Sequence, residues 1–289
     1  MKRAVLIAGA TASGKSARAL AMAREMNGVI INADAMQVYR ELRILTARPT
    51  ETDETIAPHR LYGHVPASES YSVARWLADA GAAIDAAWKE KRVPVVVGGT
   101  GLYFRALEEG LAAIPAIAPA IRERWRGELL SKGPIYLHGV LEKLNQAEGR
   151  RLKPGDGQRI VRALEVLEAT GRSLEEWQAE AQLVAPMAGV SAQRILIEVP
   201  RDELYARAER RLDQMVEQGA LAEVKNLLSL KLDPALPAMK AIGVPELAAH
   251  LRGETALAEA LIAAKTATRH YIKRQLTWWR HQIPAWRDG

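Results

Sequence analysis

The chain has 289 residues and no cysteine, with 40 Lys and Arg against 34 Asp and Glu, a net charge of +6. At 48% hydrophobic and 26% charged residues it has the balance of an ordinary globular protein. That excludes an intrinsically disordered chain, and the length allows one or two domains. Without cysteine there are no disulfides, no thiolate metal sites and no cysteine nucleophile.

The first elements carry the strongest motif. Ala4-Val5-Leu6-Ile7-Ala8 is an apolar run suited to a buried strand, and residues 16–26 are an alanine-rich candidate helix. Between them stands Gly9-Ala10-Thr11-Ala12-Ser13-Gly14-Lys15-Ser16, which fits G-x-x-x-x-G-K-[ST]. Such a turn aims backbone N–H groups at one anion, the helix N-terminus adds partial positive charge, and the lysine adds a full one. The Ser16 hydroxyl is then the candidate ligand for a magnesium ion. The expected ligand is a di- or triphosphate, and the motif is the one ATP-binding proteins use. So early a strand leaves no room for a signal peptide, and no apolar run reaches the length of a membrane span. With disulfides absent, the expected location is the cytoplasm.

A second buried strand, residues 29–33, ends at Asp34. A polar segment, residues 36–43, and a loop through Pro58-His59-Arg60 follow. Ser72 is placed to cap a helix with Leu77, Ala80, Ile84 and Trp88 at helical spacing. A third strand, residues 93–97, breaks at Gly98-Gly99-Thr100-Gly101, and residues 102–107 read as helix. Near-continuous Val/Ile runs alternating with helices predict a parallel sheet covered on both faces. In such sheets ligands lie beyond the carboxyl ends of the strands, so residues 9–16, Asp34 and Thr100 are expected in one cleft. Asp34 there either ligands magnesium or accepts a proton from an incoming nucleophile; capping the next segment is the plain alternative. Thr100 is a site residue or a turn residue between glycines.

After Gly110 the pattern changes. Pro115 and Pro119 mark a linker, and residues 121–182 are mostly helical and charged. Asp156 is placed to cap a helix with Ile160, Leu164 and Leu167 on one face and Arg159 and Arg162 on another. Residues 195–199 are β-rich and suited to rejoin the sheet; the remainder is helical. Basic residues crowd the end of the chain: Lys265, Arg269, His270, Lys273, Arg274, Arg280, His281 and Arg287. The expected fold is α/β, a nucleotide-kinase-like parallel sheet with helices on both faces. A helical domain at residues 118–185 interrupts a core formed by residues 1–117 and 186–289.

Six motifs resemble, in order and over nearly the whole chain, the signatures of the tRNA dimethylallyltransferase family. They are the phosphate loop, Ala33-Asp34-x-Met36-Gln37-Val38-Tyr39, Pro58-His59, Val97-Gly98-Gly99-Thr100-Gly101-Leu102-Tyr103, Asp156-x-Gln158-Arg159-x-x-Arg162-Ala163-Leu164-Glu165, and Lys273-Arg274-Gln275-x-Thr277-Trp278. The resemblance implies transfer of dimethylallyl from its diphosphate to the N6 amine of the adenosine 3′ to the anticodon, in tRNAs reading U-initial codons. It implies a loop that grips the donor's diphosphate rather than ATP, with magnesium, and the anticodon stem-loop as partner to a monomer. Lys15, Asp34 and Thr100 are then catalytic, with Asp34 the base. The resemblance implies that Asp34, Ala35, Met36 and Gln37 contact the flipped-out adenosine, and it places Thr100 at the tRNA. The same resemblance places Arg122, the run Gln158, Arg159, Ile160, Val161 and Arg162, and the run Ala241, Ile242, Gly243, Val244, Pro245 and Glu246 at the tRNA. Lys273, Arg274, Gln275, Leu276, Thr277, Trp278, Trp279 and Arg280 join them, although Trp279 at helical spacing from Ile272 suits the core better. Arg207 and Arg211 correspond to an arginine pair: one reaches the diphosphate, or both make surface ion pairs. The chain departs from the family at Ala10 (usually proline), at Ala35 (usually serine), and at residues 244–245, which lack the usual tyrosine and basic residue. Rival readings are an adenylate isopentenyltransferase acting on free AMP or ATP, a small-molecule kinase, and a non-catalytic RNA-binding protein.

Overall fold

The computed structural model describes residues 2–180, 185–282 and 286. Arg287 and residues 181–182 of the expected helical stretch lie outside these. Two compact units result: residues 1–108 with 186–289, and residues 109–185.

The first unit is built on a five-stranded, all-parallel sheet in the order β3-β2-β4-β1-β5. Its strands are β1 (Arg3–Gly9), β2 (Gly28–Asn32), β3 (His59–Arg60), β4 (Val93–Gly98) and β5 (Ser191–Ile197). Every residue of β2 is buried, as are all of β1 after Arg3 and all of β4 after Val93. That is the signature of strands covered on both faces, and it is why they read as apolar runs rather than alternations. β5 pairs with β1 along its whole length, from Arg3–Ser191 to Gly9–Ile197. The two-residue β3 lies in what the sequence suggests is a loop. A Thr50 capping box starts the short α2 (Glu51–Ile56) just before it.

Helices α1 (Lys15–Glu25), α3 (Val73–Lys89) and α4 (Gly101–Glu109) connect these strands. The Ser72 side chain caps α3 by accepting from the Arg75 N–H, 3.2 Å. After β5 come α9 (Arg201–Glu217), α10 (Ala220–Ser229), α11 (Val244–Leu251) and the long α12 (Leu257–Gln282). They cover the segment after β2, whose Val38, Tyr39 and Leu42 are fully buried against Leu212, Val224, Leu227 and Leu247. The sequence reads this stretch as polar because its apolar partners lie far along the chain.

The second unit is helical. It contains α5 (Pro119–Leu144), α6 (Gln146–Arg151), α7 (Gly157–Thr170) and α8 (Leu174–Ala179). Gly133, at φ 77°, interrupts α5 just before Pro134, a conformation that suits glycine and a residue that cannot continue the preceding turn. Trp125, Leu137, Leu141, Ile160 and Leu164 form its core. Asp156 caps α7 by accepting from the Arg159 N–H, 3.3 Å.

Candidate active site

The phosphate loop joins β1 to α1. Gly14, its N-cap, is in the left-handed region at φ 89° and supplies no side-chain cap. The first N–H groups of α1 therefore have no partner of their own in the helix and are open to an anion. Not every loop amide is so disposed: Thr11 N–H donates to the Gln275 side chain at 2.9 Å, and Ser13 N–H turns back to Ala10 O at 3.2 Å. The Ser13 hydroxyl is buried with no hydrogen-bond partner. Gly9 leaves the space it occupies, since a Cβ there would lie 2.6 Å from Ser13 Oγ. A buried hydroxyl without a partner is costly unless a ligand completes it. Lys15 Nζ donates to Ala10 O at 3.2 Å, and Ser16 is exposed beside it.

Asp34 stands immediately beyond β2. Asn32, fully buried at the strand's end, sets it in place: Asn32 Oδ1 accepts from the Asp34 N–H at 2.9 Å, and Nδ2 donates to Asp34 O (3.0 Å) and Leu61 O (3.1 Å). The carboxylate Oδ1 accepts from the Met36 N–H at 2.9 Å. Thr100 follows β4 and is bound to the same turn. Its N–H donates to Ala33 O at 3.2 Å, and its Oγ1 accepts from the Ala35 N–H at 3.0 Å. A side chain at Gly98 would meet Ala33 O at 2.0 Å, so the two strand ends approach as closely as glycine permits.

A cavity of about 360 Å³ opens at these strand ends. Thr11, Asp34 and Thr100 line it, with Ala208, Arg211, Leu212 and Met215 from α9, and Thr268, Tyr271 and Arg274 from α12. Leu45, Thr46, Lys240, Ala241 and Ile242 also line it. Burial, opposed by Asp34 and reinforced by Arg211, lowers the Lys15 pKa to about 8. Burial likewise lowers that of Arg211, again opposed by Asp34. The Tyr271 phenol, bonded to Thr100 and Gln275, is pushed up by burial and by Asp34. Asp34 thus stands among an excess of cations, with Arg211, Lys240 and Arg274 on the cavity wall and Lys15 coupled to it, a balance that an anionic ligand redresses.

The arginine pair divides. Arg211 faces the cavity, whereas Arg207 pairs at the surface with Glu203, 2.5 Å, one turn away. Gln37 is not on the cavity wall: its Nε2 donates to Thr46 O (2.8 Å) and Ala47 O (2.9 Å). Ala35 and Met36 line the cavity. In the segment at residues 241–246, Ala241 and Ile242 do so too, Val244 is buried and Pro245 exposed. The Glu246 carboxylate accepts from the N–H of Gly243 at 2.9 Å, closing the turn.

On α12, Lys273, Arg274, Thr277 and Arg280 are exposed, Leu276 and Trp278 half-buried, and Gln275 and Trp279 buried. Trp279 packs edge-on to Phe104 in the core, and Gln275 and Trp279 have no side-chain surface for RNA. Two of the basic residues nearby are paired with α9: Lys265 with Asp213 at 2.7 Å and Arg269 with Glu209 at 3.4 Å. The acids that the local sequence lacks come from a distant helix. In the helical unit, Ile160 and Val161 are core residues, whereas the resemblance assigns them to the tRNA. Arg122, Gln158 and Arg159 are exposed, and Arg162 is half-buried beside Glu165 at 3.6 Å.

Asn32, Tyr271 and Glu223 escape a reading of the sequence. Asn32 is the one with a local signal, a polar residue ending a buried apolar strand. Glu223, on α10, accepts from the N–H groups of Arg43 (2.7 Å), Ile44 (2.7 Å) and Leu45 (2.9 Å). It fixes the turn that carries Leu45 and Thr46 to the cavity.

The family model described as IPP transferase matches residues 37–282. The chain belongs to that family. The model described as isopentenyl transferase matches residues 2–63. A tRNA dimethylallyltransferase of Chelativorans sp. is 52% identical over 99% of this chain and 98% of its own length. One of Mesorhizobium japonicum is 53% identical over 99% of this chain and 89% of its own. Among solved structures, a eukaryotic dimethylallyltransferase acting on tRNA superposes with a TM-score of 0.82 at 27% identity, covering all of this chain (100%) and 72% of that one. The tRNA isopentenylpyrophosphate transferase of Bacillus halodurans gives 0.69 at 33% identity, over 98% of this chain and 88% of that one. This IPP transferase family member is therefore a transferase with an α/β, P-loop-like core. No helix among its described residues is long and apolar enough to cross a membrane.

Proposed function

We propose that this chain transfers a dimethylallyl group from dimethylallyl diphosphate to the N6 amine of the adenosine 3′-adjacent to the anticodon, in tRNAs that read U-initial codons. The observation that carries the reading is a cavity at the strand ends lined by Asp34 and Arg211, with Lys15 of the phosphate loop electrostatically coupled to both. The amine nitrogen forms a bond to the allylic carbon while the carbon–oxygen bond breaks, and the electron pair leaves with diphosphate. Lys15, Arg211, the Ser13 hydroxyl and the first turn of α1 hold the growing negative charge. Asp34, fixed by Asn32 and Met36, takes the proton from nitrogen. Thr100 holds the acceptor turn through Ala35. The base enters flipped out of its stack, since a stacked adenosine hides its amine from an enclosed site.

A magnesium ion fits the donor set. Among the described residues no three His, Asp or Glu cluster, so an ion here draws most of its ligands from diphosphate and water, as magnesium does at phosphate loops. The Ser16 hydroxyl would hold it, and the ion would offset charge on the leaving group. The tRNA anticodon stem-loop is taken up by the exposed basic residues of α12 and, on the helical unit, by Arg122, Gln158, Arg159 and Arg162. The protein works as a cytoplasmic monomer.

The test offers purified protein dimethylallyl diphosphate and magnesium, with unmodified tRNA, AMP and ATP as competing acceptors. Prenylated tRNA is expected. Prenylated AMP with untouched tRNA would replace this reading with the free-nucleotide enzyme, and phosphate transfer from ATP would replace it with a kinase.

A further inference from the structure

Gln275 occupies an unusual place for a residue in a basic, RNA-facing segment. It is 5% exposed, and both ends of its amide are engaged inside the first unit. Oε1 accepts from the Thr11 N–H of the phosphate loop at 2.9 Å, and Nε2 donates to Gly99 O at 2.9 Å. The side chain is thus a strut between the loops that follow β1 and β4.

The glycines opposite α12 are shaped around this strut. A Cβ on Gly99 would lie 2.4 Å from Gln275 Nε2, and one on Gly101 would lie 2.1 Å from the Trp278 ring. Neither glycine has a positive φ, so backbone conformation does not require glycine at either position; proximity to α12 does. The Gly98-Gly99-Thr100-Gly101 segment and the Gln275-Leu276-Thr277-Trp278 segment therefore form one packed joint.

From this joint we infer that Gln275 is a positioning residue for the donor site: it sets the phosphate loop through Thr11 and contacts no RNA. Removing the amide frees the Thr11 N–H to turn and leaves Gly99 O without its donor, so the loop no longer presents its anion-binding groups in one arrangement. The inference deepens the reading given under Proposed function, but its test does not depend on the identity of the donor.

The experiment measures binding of inorganic diphosphate with magnesium, and separately of unmodified tRNA across a salt series, to wild type, Gln275→Leu and Gln275→Glu. Glutamate keeps an acceptor for Thr11 but sets a second acceptor against Gly99 O. Both variants are expected to weaken diphosphate at least tenfold and leave the tRNA affinity and its salt slope within twofold. A tenfold loss of tRNA affinity with diphosphate unchanged would overturn the inference and make Gln275 an RNA contact. No change in either would overturn it too. Gly99→Ala approaches the strut from its other end and should reproduce the diphosphate defect. Combined with Gln275→Ala it should cost less than the two single losses multiplied, because the shortened side chain no longer meets the added methyl. Fully multiplicative losses would refute the joint even if a single variant folds poorly. Failure of wild type to use dimethylallyl diphosphate, with diphosphate binding intact, would sink the donor assignment and leave this inference standing.

Discussion

The ammonium of Lys15 ought to make donor affinity depend on pH in a window set by its surroundings. Burial beside Arg211, relieved only in part by Asp34, brings its pKa down from 10.5 to about 8 in the ligand-free protein. A bound diphosphate restores the lost negative charge and holds the proton on. Binding to the charged form is therefore favoured below pH 8, and above it a proton must be taken up with the ligand. With a pKa near 8, the protonated fraction falls from about 0.9 at pH 7 to about 0.1 at pH 9, so affinity should drop about tenfold, or about 1.4 kcal/mol. The ligand itself is fully ionised over most of that range. Isothermal titration calorimetry of dimethylallyl diphosphate with magnesium, in buffers of different ionisation enthalpy, reads both the affinity and the proton uptake. Lys15→Arg, charged at every pH used, should flatten the profile while weakening binding at pH 7 through its different shape. A flat wild-type profile, or the same fall in Lys15→Arg, would refute the reasoning and assign the proton to another group.

Asp34→Asn preserves the acceptor for the Met36 N–H and so the turn itself. Single-turnover transfer should fall roughly 10²- to 10⁴-fold with donor and tRNA binding nearly intact, and an unchanged rate at saturating donor and magnesium would remove Asp34 as base. Arg159→Ala with Arg162→Ala should weaken tRNA binding and flatten its salt dependence, since each lost phosphate contact releases fewer counterions; an unaltered slope in filter binding would leave both as solvated charge paired with Asp156 and Glu165. Glu223→Leu deprives three consecutive amides of their acceptor and should destabilise the protein by about 2 kcal/mol or more. Urea unfolding checks this, and a loss under about 0.5 kcal/mol would mean that water replaces the carboxylate.

What could be read directly from the sequence was what is local. The phosphate loop, the Ser72 and Asp156 caps and the three buried strands each declare themselves within a dozen residues, because their causes lie in neighbouring side chains and turn chemistry. Asp34 and Thr100 could be placed in one cleft because strand ends in a parallel sheet share an edge. The choice of Arg211 over Arg207 needed the rotation of α9 against the sheet, which a pair of arginines one turn apart does not specify. Gln37 and Gln275 looked like polar residues awaiting a partner, but their partners are backbone groups at the far side of a loop and of the whole chain. Glu223 gave no signal at all: a glutamate on an amphipathic helix is ordinary until the turn at residues 43–45 is folded against it. Trp279 and Ile160 show the reverse case, where helical spacing placed them correctly in a core; Val161, assigned to the tRNA by the resemblance, lies in that core too.

The chain leaves the sheet after β4 and returns at β5, on the far side of β1. Within the first unit, Met187 N–H donates to Leu107 O at 3.2 Å, which ties together residues that are distant along the chain. A polypeptide emerging from the ribosome makes β1 first, yet β1 must wait for residues 191–197 before its second edge is paired. Were the intervening stretch a floppy tether, closing that gap would carry the entropy of a long loop. The intervening residues instead contain a helical unit with its own apolar core, and helical contacts are local and quick to form.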